Sequence, residues 1–335
     1  MSELAPSILL PYMPSIPDLS MRLFEGEADY PAIVAVHQQS AQADAVDPLS
    51  SYEDVPTLES VRAEYAGAGR FDLRQNALVA QVAGAVIGYT DVRWWTENDG
   101  ARVYLHQELV VPRWRNRGIE QAMLLWTEEQ LRRLAAGHAG SGKAVFGANA
   151  ASTEPERRLR LLNAGYQHVF AMLEMEFTAF GQLPTAAVPP GIVVSQAHRH
   201  EYRLLWDAMQ EAYRGRSMVQ ALSEDEYQSF ADDPRRNPEL ELAAWDYGNV
   251  AGMVFLRIDR GHGVVDECNV HPMYRRRGLA RALMVQGLRL LQDCGVTMVR
   301  LHCRQHNETG AQQLYEHLGF RVLKEFGRYR KPLAL

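Results

Sequence analysis

Apolar and polar positions along the chain fall into two similar successions of short strands and amphipathic helices. In the first, a strand over Met21–Phe24 leads into a helical stretch at Asp29–Gln39. Two strand-like runs follow, Ala77–Val82 and Ala85–Trp95, and the Ala83-Gly84 pair between them predicts a tight hairpin turn. Another strand, Arg102–Val111, runs into a segment rich in arginine and glycine, and a helix is expected over Ile119–Ala135. The second succession keeps this order. Its strand Ile192–Ser195 precedes a helix at Glu201–Tyr213, and the turn Asp246-Tyr247-Gly248-Asn249 separates strands Leu240–Trp245 and Val250–Ile258. The strand Gly263–Val270 then enters a helix at Leu279–Asp293. Each half closes with a further strand, a helix and terminal strands. The pattern predicts an α/β (α+β) fold of two tandem domains, each a mixed, mostly antiparallel twisted sheet flanked by helices.

The residues repeat as well as the pattern. Val111-Pro112-Arg113-Trp114-Arg115-Asn116-Arg117-Gly118 matches His271-Pro272-Met273-Tyr274-Arg275-Arg276-Arg277-Gly278. Further on, Leu162-Asn163-Ala164-Gly165-Tyr166 matches Glu316-His317-Leu318-Gly319-Phe320. The spacing between copies is that of a whole domain and far exceeds a solenoid unit, so the chain reads as a duplicated domain. Gly181, Pro184, Pro189, Pro190 and Gly191 mark a linker. The expected division is 1–178, linker 179–190 and 191–335.

Composition narrows the function. With 47% hydrophobic and 23% charged residues over 335 positions, the chain has the balance of a globular protein of about two domains. A net charge of −6 without a long basic run argues against nucleic acid as the partner. Three cysteines, Cys268, Cys294 and Cys303, form no CxxC pair and suit a reducing compartment. Pro11 and Pro14 interrupt the apolar Ile8-Leu9-Leu10, which leaves no signal peptide or membrane span in view. The reading is cytoplasmic, without membrane partners, as a monomer or homodimer.

The candidate chemistry centres on Arg275-Arg276-Arg277-Gly278-Leu279-Ala280-Arg281, between a strand and a helix. Gly278 and the small Ala280 let a ligand approach the backbone. The free amides of the helix start point outward at its positive end, and the arginines add charged donors. This is an anion cradle suited to a diphosphate. A solvated arginine cluster on an ordinary turn is the plain alternative.

The segment Arg275-x-x-Gly278-x-Ala280, preceded by Val270-His271-Pro272, resembles the Arg/Gln-x-x-Gly-x-Gly/Ala motif of the Gcn5-related N-acetyltransferase (GNAT) superfamily. The segment Asn307 to Phe320, with Leu314-Tyr315-Glu316-His317-Leu318-Gly319-Phe320, resembles the family's downstream motif. This resemblance covers nearly the whole second half. It implies acetyl-CoA as co-substrate, with its diphosphate on the Arg275–Arg281 loop and its pantetheine arm along Asn269 and Val270, near Asn307. The tandem arrangement is similar to that of the mycothiol synthases, which acetylate an amino group on a thiol–sugar conjugate.

Acyl transfer from a thioester to an amine needs a neutral amine, a stabilised oxyanion and a proton for the departing thiolate. The resemblance implies Tyr315 as acid and a carboxylate on the preceding strand as base. Asp266 and Glu267 are the candidates. Strand alternation would turn them to opposite faces, so that only one meets the acceptor, and Glu267 is preferred. The Val270 amide, at a bulge the family often has, is the expected oxyanion donor. Cys268 reads as a buried apolar residue, and His302, Cys303 and His306 do not converge as ligands, so no metal is expected. Trp94-Trp95, Trp206, Tyr213 and Arg214-Gly215-Arg216 either line an acceptor cleft between the halves or belong to the core.

The first half departs from the motif. Glu120 replaces the small residue, Leu161 stands where Tyr315 stands, and His106-Gln107 replace Asp266-Glu267. It is expected to be degenerate. The second half is expected to be an N-acetyltransferase acting on a primary amine of a small molecule by direct attack. Acetylation of protein N-termini or lysines, or coenzyme binding without turnover, are the rival readings.

Overall fold

A computed structural model describes residues 8, 10, 12–53, 55–66, 76–138, 142–214 and 223–334. The chain forms two compact units, and each contains a strand end from the other half of the sequence. One unit gathers Met1–Thr96, Gly100–Val169 and Gly327–Leu335; the other gathers Glu97–Asp99 and Phe170–Phe326.

In unit 1, strands β1 (Leu19–Leu23), β2 (Leu78–Val82), β3 (Ala85–Thr96), β4 (Arg102–Val110) and β5 (Ala144–Ala151) lie in that order, followed by the end of the last strand, β12 (Arg321–Pro332). Helices α1 (Tyr30–Ala41), α2 (Leu58–Ala66), α3 (Ile119–Ala136) and α4 (Pro155–Asn163) belong to the same unit. Its core packs Met21, Ile33, Val36, Leu78, Ile87 and Met123 together, and a second cluster gathers Tyr104, Leu131, Phe146, Tyr166 and Tyr329.

In unit 2 the sheet order is β6 (Gln167–Phe177), β11 (Val299–Arg304), β10 (His262–Val270), β9 (Asn249–Asp259), β8 (Glu241–Asp246), β7 (Val193–Gln196). Helices α5 (Tyr202–Tyr213), α6 (Glu224–Ala231), α7 (Leu279–Asp293) and α8 (Ala311–Leu318) accompany it. Both faces of β8 and β9 are covered. Leu242, Ala244, Val254 and Leu256 pack with Leu283 and Leu288 of α7, while Ala243, Met253 and Phe255 pack with Leu205, Trp206 and Met209 of α5. Alternate residues face two different cores, which is why these strands read as unbroken apolar runs.

The expected division at 178 and 191 does not follow the compact units. Residues 172–177 of β6 pair antiparallel with Val299–Arg304, inside unit 2, and Leu333 donates its amide to Ala144 at 3.1 Å, inside unit 1. The two terminal strands have changed places. Each copy's terminal strand carries a similar alternating pattern, and either sheet offers it an equivalent hydrogen-bonding edge, so hydropathy cannot assign the partner. The expected linker is also packed: Ala179, Phe180, Leu183 and Ala186 lie against the main core of unit 2. Helices α2 and α6 were not among the expected elements, and both are short and largely exposed. Among the described residues, no helix is long and apolar enough to cross a membrane.

Candidate active site

The site of unit 2 is built where β10 hands over to α7. Strand β10 ends at Val270, a 3-10 turn spans Pro272–Tyr274, and the chain then passes through two left-handed residues, Arg276 (φ 61°) and Gly278 (φ 83°), before α7 begins. Gly278 takes this conformation without steric cost, and the position a Cβ would occupy there has nothing within 4 Å. The first amides of α7 have no partner one turn earlier and face outward at the helix's positive end. Arg276, Arg277 and Arg281 are exposed beside them, Ala280 keeps the approach shallow, and Leu279 is buried in the core beneath.

Arg275 does something else. Its Nε donates to the Val270 carbonyl at 3.1 Å and its Nη2 to the Ala212 carbonyl at 3.1 Å. It braces the loop from behind, against the strand end and the end of α5. Asn307 is likewise engaged locally: its side-chain oxygen accepts from the amide of Ala311, the first residue of α8, at 2.8 Å.

Strands β10 and β11 run parallel only over Gly263–Val265 with Val299–Leu301, and then part. Past that point, the edge of β10 that faced β11 is no longer paired with it. On its other side, β10 pairs with β9, with a register shift between Val265 and Glu267. The bulge therefore lies at Asp266 and not at Val270, which pairs regularly with Gly252. A bulged residue breaks the two-residue alternation, so the expectation that the two carboxylates turn to opposite faces does not hold. Asp266 and Glu267 both line one cavity of about 270 Å³, with Phe230, Phe255 and Arg257 among its walls.

Their surroundings differ. Asp266 is held by Arg257 Nε at 2.9 Å. Glu267 accepts from the Tyr213 hydroxyl at 2.9 and 3.1 Å and from Asn269 Nδ2 at 2.7 Å. Tyr315, on α8, is buried in the core cluster against which Cys268 packs. Burial raises the Tyr315 phenol well above its ordinary value, and the Cys268, Cys303, Glu267 and Tyr213 groups add to the effect. Burial also pushes the Cys268 thiol up to about 12, with Glu267 adding to the shift. An acid that keeps its proton thus lies on the element packed near Glu267, just past the point where the strands part.

Residues 202–320 match the model of the Acetyltransferase (GNAT) family. A mycothiol acetyltransferase of Thermobifida fusca (strain YX) is 28% identical over 321 residues, covering 87% of this chain and 91% of that protein. Residues 202–320 thus belong to the GNAT family. Two solved structures share its fold along nearly the whole length. One is a GCN5-related N-acetyltransferase from Sphaerobacter thermophilus, with a TM-score of 0.73 and 23% identity over 95% of this chain and 97% of that one. The other is a tandem GNAT protein from the clavulanic acid biosynthesis pathway, with a TM-score of 0.63 and 15% identity over 95% and 99%.

GNAT membership implies an acyl-CoA co-substrate. The loop of unit 2 fits the diphosphate of such a molecule, because its outward amides and the open space over Gly278 leave room for an anion. The equivalent loop in unit 1 is filled by the chain itself. The Asn116 amide donates to Glu120 Oε1 at 3.1 Å, and the Cβ position of Gly118 lies 2.8 Å from the Tyr12 hydroxyl. Arg115 is braced on the Val110 carbonyl at 2.7 Å, as Arg275 is on Val270, and also pairs with Asp44.

Other expected residues fall elsewhere. Trp206 is a core residue, 5.1 Å from the Phe230 ring, and Arg214 is exposed and pairs with Glu211. Gly215 and Arg216 lie outside the described residues. Sequence reasoning did not find the bracing role of Arg275 or the hold of Tyr213 on Glu267. A free arginine and a bracing one have the same spelling.

Proposed function

We propose that unit 2 moves an acetyl group from acetyl-CoA to a primary amine of a small molecule, by direct attack in a ternary complex. The observation that carries this reading is that Tyr315 shares a core cluster with Cys268, the neighbour of Glu267 on β10, just past the point where β10 and β11 part. Bound acetyl-CoA supplies the thioester carbonyl. Arg276, Arg277 and Arg281, with the amides of Gly278, Leu279 and Ala280, would hold its diphosphate, and Asn269 and Val270 would offer backbone to the pantetheine arm.

Glu267 takes the proton that the amine must lose. Its carboxylate lies on the wall of the cavity and is aimed by the Tyr213 hydroxyl and the Asn269 side-chain amide. Tyr315 donates a hydrogen bond to the departing sulfur and passes its proton as charge builds there. Burial that keeps the phenol protonated also opposes a lasting phenolate, so donation and thiolate departure are concerted. Cys268 stays a thiol, since its upward shift leaves almost no thiolate at neutral pH, which favours direct attack over an acyl-cysteine.

The relative named as a mycothiol acetyltransferase supports a small-molecule amine as acceptor. The test is calorimetric titration with acetyl-CoA, followed by thiol release with a panel of amines that includes amino-bearing thiol–sugar conjugates and lysine peptides. Micromolar binding and release with a small amine are expected. Release with lysine peptides alone would overturn the acceptor class, and binding without release from any amine would overturn catalysis.

A further inference from the structure

Tyr213 is the last residue of α5 and places its hydroxyl on both oxygens of the Glu267 carboxylate, at 2.9 and 3.1 Å. The end of that helix is itself held. Arg275 bonds the carbonyl of Ala212, the residue before Tyr213, and the carbonyl of Val270, at the end of the strand that carries Glu267. One guanidinium thus spans the two backbones that bring Tyr213 and Glu267 together, and it does so from inside the coenzyme loop.

We propose that Tyr213 is a positioning residue that fixes the Glu267 carboxylate for proton transfer, with Arg275 holding the end of α5 in place for it. The inference rests on Glu267 being the base. A glutamate carboxylate turns broadly about its last bond, and a donor shared by both oxygens restricts that turn. A tyrosine suits the task, because its ring carries the donor on only two torsions. The orientation matters because a base must lie within hydrogen-bond reach of the proton it takes.

Asn269 donates to Oε1 alone, whereas Tyr213 reaches both carboxylate oxygens. On one side stand Tyr315 from α8, and Cys268 and Asn269 from its own strand. On the cavity side stand three arginines, each with a carboxylate of its own: Arg235 on Asp233 at 2.7 Å, Arg236 on Glu241 at 2.8 Å, and Arg257 on Asp266 at 2.9 Å. Hydrogen bonds to the ionised form hold a carboxyl's titration down, so losing the Tyr213 hydroxyl should move it up.

The experiment follows the Glu267 carboxyl by carbon NMR in full-length protein labelled at the glutamate side-chain carboxyl, with the resonance assigned by Glu267→Gln. In Tyr213→Phe, which removes one oxygen, the midpoint should rise by about one pH unit, as loss of a hydrogen bond to a charged group implies. Arg275→Gln should move it the same way by less. Acetyl-CoA affinity in Tyr213→Phe should stay within about threefold. With an amine that the wild type acetylates, kcat should fall about tenfold and the acid limb of kcat/KM should shift upward with the NMR midpoint. A midpoint unchanged in both variants overturns the proposal. A shifted midpoint, with Glu267→Gln turning over at the wild-type rate, overturns instead the reading of Glu267 as base and with it the catalytic purpose of Tyr213.

Discussion

The two units start from one strand–loop–helix plan and treat the space between its central strands in opposite ways. In unit 1, β4 and β5 stay paired over Arg102–His106 with Ala144–Ala148, and no bulge interrupts β3 and β4. The region is then closed by buried polar side chains. His106 Nδ1 meets Glu108 Oε1 at 2.5 Å, and His106 Nε2 meets the Tyr166 hydroxyl at 2.7 Å. In unit 2, pairing stops one residue earlier, a bulge turns Asp266 and Glu267 toward one cavity, and Tyr315 stands where unit 1 has the buried Leu161. One plan can thus be a binding surface or a packed core, depending on a few side chains. Closing the site takes only groups that satisfy one another. Keeping it open takes a bulge, small residues and a braced loop.

The sharpest way to break this contrast is to remove the reactive groups of unit 2 and their counterpart in unit 1. Tyr315→Phe and Glu267→Gln should each lower kcat by about 10²- to 10³-fold, the range for loss of a general acid or base. Acetyl-CoA affinity should stay within a few-fold, read by calorimetry beside steady-state rates. Gln107→Ala, at the exposed equivalent of Glu267 in unit 1, should leave turnover unchanged. Comparable losses from Gln107→Ala would put chemistry in both units.

A second variant moves the block from one unit to the other. Glu120 is 4% exposed and its carboxylate takes a loop amide that an anion would otherwise use. Ala280→Glu should import that carboxylate into unit 2 and weaken acetyl-CoA binding roughly 10²-fold, from charge repulsion at close range in a partly shielded site. Glu120→Ala should not create binding in unit 1, because the His106–Glu108–Tyr166 network and Tyr12 still fill it. Tight binding of a second equivalent by Glu120→Ala would show that one residue alone kept unit 1 silent.

Much of this was legible because local rules governed it. The duplicated Pro-x-aromatic-Arg-x-x-Gly segment gave both loops, and Gly118 and Gly278 do take left-handed backbones, with φ of 86° and 83°. Helix α7 spans the expected Leu279–Asp293. Glu120 spoke for itself, as a carboxylate at a place that needs a small residue. What escaped the sequence depends on partners far along the chain. The exchange of β6 and β12 is a choice between equivalent sheet edges. The bulge at Asp266 involves no glycine or proline, so nothing in the spelling of β10 announces it, and side-chain alternation misplaced one of two carboxylates. Whether an arginine grips phosphate or backbone is decided by what lies behind it, and Arg275 finds Ala212 there.

A smaller effect sharpens the comparison of the loops. Gly118→Ala and Gly278→Ala both force a Cβ into the left-handed region, at a cost of about 1–2 kcal/mol each. The new methyl of Gly278→Ala meets open space, whereas that of Gly118→Ala must displace the Tyr12 hydroxyl. Denaturant titration should therefore find Gly118→Ala the more destabilising. Acetyl-CoA binding should suffer only in Gly278→Ala, where the methyl occupies the approach to the loop.

The mildest test lies in how each unit answers acid. Burial raises the Glu108 carboxyl, but His106, Arg157 and Arg160 outweigh it and leave it lowered from 4.5 to about 2. A carboxyl whose folded value lies below its unfolded one contributes stability that is complete above about pH 4.5 and drains away as pH falls toward 2. Glu108→Gln keeps the shape and removes the titration. It should lower the thermal midpoint near neutral pH, where the ionised carboxylate is at full effect, and its deficit against the wild type should shrink steadily between pH 4.5 and 2. The equivalent position in unit 2 holds Cys268, whose thiol is pushed up to about 12 and carries no charge anywhere in that window. Cys268→Ser should therefore shift the midpoint by a constant amount across the same acid range. If the Glu108→Gln deficit stayed constant too, the buried carboxylate would not be sustained by its cationic neighbours, and unit 1 would be closed by packing alone.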